Sequence, residues 1–215
     1  FAMNLAAGKT SLDACPYLSD AARETLESAS APPIAKVILG TGANAVEMGD
    51  ETELFRHDKR FYHETAVAIQ VSDSWNEAEL KARLAAINEL EFERVGQRYT
   101  IQAVAISREA DDKKAFAAAV ATVAANTSLN LILMSEQPDL IAPVLAEIAA
   151  RKPLLYAANN NNYEAMTALA KEYNCPLAVK AKGLDELAGL VDKIVALGYK
   201  QLVLDPGARE LSRAI

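Results

Sequence analysis

Leu129-Asn130-Leu131-Ile132-Leu133-Met134-Ser135-Glu136 is the stretch on which the fold turns. It is an apolar run of strand length that ends in two polar residues. Residues 138–151 follow with Ala, Leu and Ile at helical period, and Pro153-Leu154-Leu155-Tyr156-Ala157 then repeats the apolar run. Strand, helix, strand in that order is a βαβ unit, whose two strands lie parallel and are covered on both faces. The same alternation extends in both directions. It predicts strands over 66–71, 100–106, 129–134, 153–157, 176–180 and 201–204, and helices over 76–90, 111–125, 138–151, 162–173 and 184–197. The later strands begin about 22 to 25 residues apart, as regular βα units do. Asp111 and Asp112 suit the first turn of a helix, where negative charge complements the dipole, and Gly198 suits the left-handed residue after a helix end.

Six such units fit either a doubly wound sheet or a (β/α)8 barrel. No strand leads into G-x-G-x-x-G or G-x-x-x-x-G-K-[ST], so the usual reason for an open nucleotide-binding sheet is missing. Polar residues gather after the strands instead: Ser135 and Glu136, Asn159 to Asn162, Lys180 and Lys182, and Asp205. Barrels place their chemistry at that end. The expected fold is therefore α/β, an incomplete TIM (β/α)8 barrel over 65–215 containing the first six βα units, since a whole barrel takes roughly 250 residues. The start at Phe1 and the stop at Ile215 agree with a piece of something longer.

The first sixty residues read differently. Residues 1–9 have the look of a helix tail, 11–16 of a loop, and 19–30 of a helix capped by Ser19. Ala31-Pro32-Pro33 is a stiff connection, and 36–39 with 45–47 form a hairpin about Gly40-Thr41-Gly42 at the entrance to the barrel. The expected organisation is a small domain end over 1–32, a linker and hairpin over 33–64, and the barrel from 65.

Composition narrows the function. Lys and Arg number 22 against 29 Asp and Glu, a net charge of −7, which argues against nucleic acid as a partner. Hydrophobic residues make up 51% of the chain but aromatics only 6%, the filling of a helix-rich α/β core. No apolar run approaches the roughly 18 residues of a membrane span. A soluble, cytoplasmic protein is expected. Its two cysteines, Cys15 and Cys175, build no disulfide framework.

Cys15 stands in Asp13-Ala14-Cys15-Pro16-Tyr17. Cys-Pro is how the last ligand of a cubane iron-sulfur site often reads, and a lone Cys is also an ordinary small core residue. Cys175, at a helix-to-strand junction, reads as structural. The segment 53–64 holds both histidines, His57 and His63, with Phe55, Phe61 and Tyr62 and three basic residues. Six positions apart, the histidines do not share a helix face as a metal pair would. The composition fits a docking surface. Gly40-Thr41-Gly42 is a hairpin turn and Asp205-Pro206-Gly207 a turn that leaves Asp205 free to cap or to react. The four asparagines could bond a substrate but supply no acid or base.

Phe1-Ala2-Met3-Asn4-Leu5-Ala6-Ala7-Gly8-Lys9, Leu12-Asp13-Ala14-Cys15-Pro16-Tyr17 and Val46-Glu47-Met48-Gly49-Asp50-Glu51-Thr52-Glu53-Leu54-Phe55-Arg56-His57-Asp58-Lys59-Arg60-Phe61-Tyr62-His63 closely resemble one family. It is the large (gamma) subunit of the corrinoid iron-sulfur protein of the acetyl-CoA (Wood-Ljungdahl) pathway. Lys152-Pro153-Leu154-Leu155-Tyr156-Ala157 and Leu202-Val203-Leu204-Asp205-Pro206-Gly207-Ala208-Arg209-Glu210 look like it too. The resemblance implies a 4Fe-4S domain, a central TIM barrel and a C-terminal domain holding a corrinoid (cobalamin). Cys15 matches the fourth cluster ligand, and the other three ligands and the corrinoid domain lie outside this sequence. For the full subunit it implies a methyl carrier, loaded from methyltetrahydrofolate by a methyltransferase and unloaded at carbon monoxide dehydrogenase/acetyl-CoA synthase. The cluster would serve reductive reactivation of cobalt, with a reductive activator among the partners, and the subunit would pair with a small subunit. This portion would be cluster end and scaffold, with no catalytic residue of its own. The competing reading is a barrel enzyme using Glu136, Lys180 and Asp205 at the strand ends.

Overall fold

The computed structural model describes residues 35–49 and 65–209, with Tyr17, Ser19 and His63 besides. The chain divides into two compact units, residues 1–35 with 50–62 and residues 36–49 with 63–215. The strands and helices described below all belong to the second unit. The expected loop about Cys15, the helix over 19–30 and most of the aromatic and basic segment 53–64 lie outside the described residues.

A small antiparallel pair, Val37–Leu39 (β1) and Val46–Met48 (β2), opens the unit, with a 3-10 turn at Gly42–Asn44 between them. Then come Ala68–Ser72 (β3), Glu77–Asn88 (α1), Glu91–Arg94 (β4), Gln97–Thr100 (β5), Ala103–Ser107 (β6), Lys113–Asn126 (α2), Asn130–Met134 (β7) and Pro138–Ile148 (α3). Leu154–Ala158 (β8), Tyr163–Tyr173 (α4), Leu177–Lys180 (β9), Leu184–Ala196 (α5) and Leu202–Asp205 (β10) complete it. Six strands form one parallel sheet in the order β10-β9-β8-β7-β6-β3. Each strand of this sheet pairs with the next one in the chain and the order never reverses. Crossovers of constant hand then send every helix to the same face, the winding of a barrel and not of a doubly wound sheet. Among the described residues β3 and β10 are the two edges, and closure is not seen.

Two cores follow from the period-2 alternation of the strands. Val104 and Ile106 of β6, Leu131 and Leu133 of β7, Leu155 of β8 and Val179 of β9 meet the helices at Leu84, Phe116, Ile141, Leu145, Met166 and Leu190, all almost fully buried. Each such side chain contributes roughly 1.5–3 kcal/mol. The other face is lined by smaller groups. Ala103, Leu154, Ala157 and Ala178 pack there with Leu39 from β1. The β1–β2 pair is tied to the amino ends of the strands: Gly40 N donates to Lys152 O at 3.1 Å, Asn44 Nδ2 to Ser128 O at 3.0 Å, and Asn130 Nδ2 to Asn44 O at 2.7 Å. It stands as a plug at the end opposite the polar cluster.

Helix starts obey local chemistry. Asn76 and Glu79 form a reciprocal capping box, each side chain accepting the other's backbone N–H at 3.0 Å. Asp112 is the cap of α2 and not part of its first turn, its Oδ1 accepting from Lys114 N at 2.9 Å. Arg151 reaches back to the carbonyls of Ala124, Thr127 and Leu129, satisfying acceptors left free where α2 ends.

The expected strand over 100–106 is two strands. β5 belongs to a hairpin with β4 that the alternation pattern does not announce, and β6 starts at Ala103. The break lies where Gln102 turns to β3. Its N–H donates to Val67 O at 3.0 Å, and its Oε1 accepts from Val67 N at 2.7 Å. The expected helix over 138–151 gives way after Ile148 to a 3-10 turn, Ala149–Arg151.

Candidate functional site at the carboxyl ends of the strands

Pairing aligns Ser72, Ser107, Met134 and Tyr156 across β3, β6, β7 and β8, and Lys180 with Asp205 across β9 and β10. On β6, Ala103 belongs to the face away from the helices, so Ser107, four positions on, shares it. Tyr156 likewise packs on that face. Near its carboxyl end each strand thus carries a polar or polarisable group to one end of the sheet, and on β8 the inward Ala157 follows Tyr156.

At that end Tyr156 Oη donates to Asp205 Oδ2 at 2.5 Å. Arg209 clamps the same carboxylate from both nitrogens, at 3.0 Å to Oδ1 and 2.8 Å to Oδ2, and also donates to Tyr156 Oη at 3.1 Å. Gly207 N adds a bond to Asp205 Oδ1 at 2.8 Å, closing the turn. The Arg209 bonds, followed by those from Tyr156 and Gly207, hold the Asp205 carboxyl far below the usual range, against the opposing effect of burial. Burial, with the neighbouring carboxylate, pushes the Tyr156 phenol up to about 12. Asp205 is held ionised and Tyr156 protonated, so this pair acts as a clamp and not as an acid-base couple near neutrality.

Beside it Lys180 Nζ meets Glu136 Oε1 at 3.1 Å and stands 5.8 Å from the centre of the Tyr156 ring. Glu136 also accepts from Asn159 Nδ2 at 3.0 Å. A further knot lies on β3 and β6, where Glu109 accepts from Ser72 Oγ and Ser107 Oγ, both at 2.8 Å. The Ser72 bond, then that of Ser107, lowers the Glu109 carboxyl below its usual range. Asp73 Oδ1 receives the N–H groups of Glu109 and Ala110, while its buried Oδ2 has no partner. Between these groups opens a cavity of about 390 Å³, lined among others by Arg108, Ser135, Glu136, Tyr156 and Lys180.

The structure therefore brings Glu136, Lys180 and Asp205 to one end of the sheet, joined through Tyr156. Three of the four asparagines engage their side chains within the fold: Asn162 donates to Glu136 O and Ala157 O, Asn160 to Glu186, and Asn159 to Glu136. They hold the loop after β8. Tyr156, Arg209 and Glu109 are the residues that reading by residue type passed over. One signal pointed to Arg209, its place four positions after Asp205; Tyr156 and Glu109 carried none.

His63 is half-buried, whereas Cys15 and His57 lie outside the described residues. Cys175 is buried and its thiol is pushed up to about 11 by that burial. It belongs to the core between the sheet and the helices. Among the described residues no three His, Cys, Asp or Glu side chains are grouped to hold a metal ion. No helix among them is long and apolar enough to cross a membrane.

Residues 36–215 match the family model described as the CO dehydrogenase/acetyl-CoA synthase delta subunit. Across all 215 residues the chain is 73% identical to the corrinoid/iron-sulfur protein large subunit of Moorella thermoacetica, of which it covers 48%. It is 33% identical over 208 residues to the acetyl-CoA decarbonylase/synthase complex subunit gamma of Methanothermobacter thermautotrophicus, covering 45% of that chain. With the gamma subunit of Methanosarcina acetivorans the identity is 37% over 183 residues, 39% of that chain. The chain spans about half the length, or less, of these curated relatives.

Proposed function

Since the chain belongs to the CO dehydrogenase/acetyl-CoA synthase delta subunit family, we propose that it is the cluster-domain end and barrel scaffold of a methyl-carrying corrinoid iron-sulfur subunit. The supporting observation is the 73% identity along the whole chain to a corrinoid/iron-sulfur protein large subunit. The full protein accepts a methyl group from methyltetrahydrofolate through a methyltransferase and delivers it to acetyl-CoA synthase. It works in the cytoplasm as a heterodimer with a small subunit, and a reductive activator keeps its cobalt in service.

Within this chain the domains divide near Pro32, and Cys15 is the fourth ligand of a 4Fe-4S cluster whose other ligands lie upstream. The scaffold role agrees with a strand-end cluster in which two of the carboxylates are paired with cations, Asp205 with Arg209 and Glu136 with Lys180. Iron and inorganic sulfide are measured in the full-length subunit and in its Cys15→Ala variant. The variant is expected to lose the cluster while still binding corrinoid; equal iron and sulfide in the two proteins would remove Cys15 from the ligand set.

A second reading, a barrel enzyme for a small substrate, draws on Glu136 and Lys180 meeting at one cavity, with Asp205 bonded to Tyr156 of its lining. In that case Glu136→Gln and Lys180→Met abolish turnover of that substrate. Under the scaffold reading both variants carry methyl groups at the wild-type rate.

A further inference from the structure

Four neighbouring strands bring their ends to the cavity of about 390 Å³: Arg108 follows β6, Ser135 and Glu136 follow β7, Tyr156 lies on β8, and Lys180 ends β9. Backbone bonds beyond the strands fix their places. Arg108 N donates to Met134 O at 3.0 Å and Ser135 N to Tyr156 O at 2.8 Å, so these two loops leave their strands still paired with the neighbouring one. The volume is of the size that small ligands occupy.

The acids of this lining are already served. Glu109 accepts from Ser72 and Ser107, and Glu136 from Asn159 and Lys180. The donors are not. Lys180 spends one of its three ammonium protons on Glu136. Ser135 is 4% exposed and accepts from Gln137 N at 3.2 Å, which leaves its hydroxyl proton for a second group. Arg108 forms no ion pair among the described residues, and its Nε is buried there without a hydrogen-bond partner. The orphaned Asp73 Oδ2 does not answer it, since Asp73 makes no ion pair with Arg108 and does not line the cavity. A guanidinium presents five donors in a planar fork and accepts nothing. Leaving such a donor unmade inside the protein is costly, so a position with a purely structural task is better filled by an apolar side chain.

We propose that this cavity binds a small organic anion, its carboxylate or phosphate group held by the Arg108 fork and the Ser135 hydroxyl, with Lys180 as the second cation. An oxyanion is acceptor-only and takes a guanidinium bidentately, which is the match these unspent donors call for. A cation or a neutral apolar ligand leaves Arg108 unanswered. Met134 and Tyr156 line the same space and give the body of the ligand an apolar wall. Binding of this kind moves no proton, in keeping with the Asp205–Tyr156 clamp beside it. The inference uses side chains of this chain alone and stands apart from the methyl-carrier reading.

The test uses the full-length subunit as isolated. Calorimetric titrations with succinate and, separately, with inorganic phosphate are run on wild type, Arg108→Met and Arg83→Met, the last removing an exposed guanidinium that does not line the cavity. Wild type and Arg83→Met are expected to bind at least one of the two anions equally well at one site per chain, and the anion bound tells carboxylate from phosphate. Arg108→Met is expected to bind it at least tenfold more weakly. Its melting temperature without anion is expected to equal or exceed that of wild type, because methionine keeps the apolar stem and removes the orphaned donor. Failure of wild type to bind either anion overturns the site, as does equal binding by Arg108→Met or an equal loss in Arg83→Met. A melting temperature of Arg108→Met that falls in the absence of anion also overturns it, since the full-length chain would then supply the acceptor itself. None of these outcomes touches the cluster content or methyl transfer on which the functional reading is judged.

Discussion

Tyr156 and Asp205 are joined by a 2.5 Å hydrogen bond that passes over the intervening strand, from β8 to β10, with Arg209 closing the triangle from the other side. The bond links the end of one βα unit to that of the next but one. Tyr156→Phe keeps the ring and removes the donor. The expected loss is about 0.5–1.5 kcal/mol, because Arg209 still serves the carboxylate. Urea denaturation of the two proteins at neutral pH measures it; a larger loss would mean that the phenol also positions Arg209.

Asp205 makes this clamp pH-dependent in a defined direction. Its carboxyl is held well below its unfolded value of about 3.9. Its stabilisation is therefore full above that value and is lost as the pH falls through the lower, folded one. Asp205→Asn should cost about 1.5–3 kcal/mol at pH 7, and the gap between wild type and variant should narrow only below about pH 4. Unfolding curves at pH 7, 5 and 3 decide it, with a gap that closes already at pH 5 counting against the clamp.

Gly40 holds the plug in place. Its φ is +83°, and a Cβ built there would lie 1.7 Å from Asn130 Oδ1. Asn130 is itself buried, donating to Asn44 O and Gln102 O. It cannot withdraw cheaply. Gly40→Ala is expected to destabilise by about 2–4 kcal/mol, through left-handed strain together with loss of these bonds. Thermal melts show this directly, and a melting temperature within a degree of wild type would contradict the packing.

Val95, at φ +54° in the turn between β4 and β5, gives the opposite sign. Holding a β-branched residue at positive φ costs of order 1–3 kcal/mol, and asparagine is at home in the first position of a type I′ turn. Val95→Asn is therefore expected to raise stability by about 0.5–1 kcal/mol. Slower exchange of the β4–β5 amides in the isolated chain would accompany it.

Much of this architecture was legible residue by residue. The strands from Ala103 onward are apolar runs separated by helical-period stretches, and their regular spacing was enough to place β6 to β10 and the helices between them. The β4–β5 hairpin was not legible. Glu91–Arg94 and Gln97–Thr100 bury no face, so they show no alternation of apolar and polar residues, and their turn carries Val95 where the pattern calls for Asn or Gly. The site was half legible. Residue type marked Glu136, Lys180 and Asp205, but Tyr156 reads as one more apolar residue of a buried strand.

By itself the sequence determined the class of fold, because hydrophobic periodicity acts locally, within each βα unit; the direction of winding is read from the strand order. It also carried the family resemblance, which needs no geometry. Only the tertiary structure decided which charges meet. Asp205 and Tyr156 are 49 positions apart and Lys180 and Glu136 are 44 apart, and nothing local sets such distances. Sheet register does, by bringing the ends of β7 to β10 into line, where the carboxylates, the phenol and the cations satisfy one another.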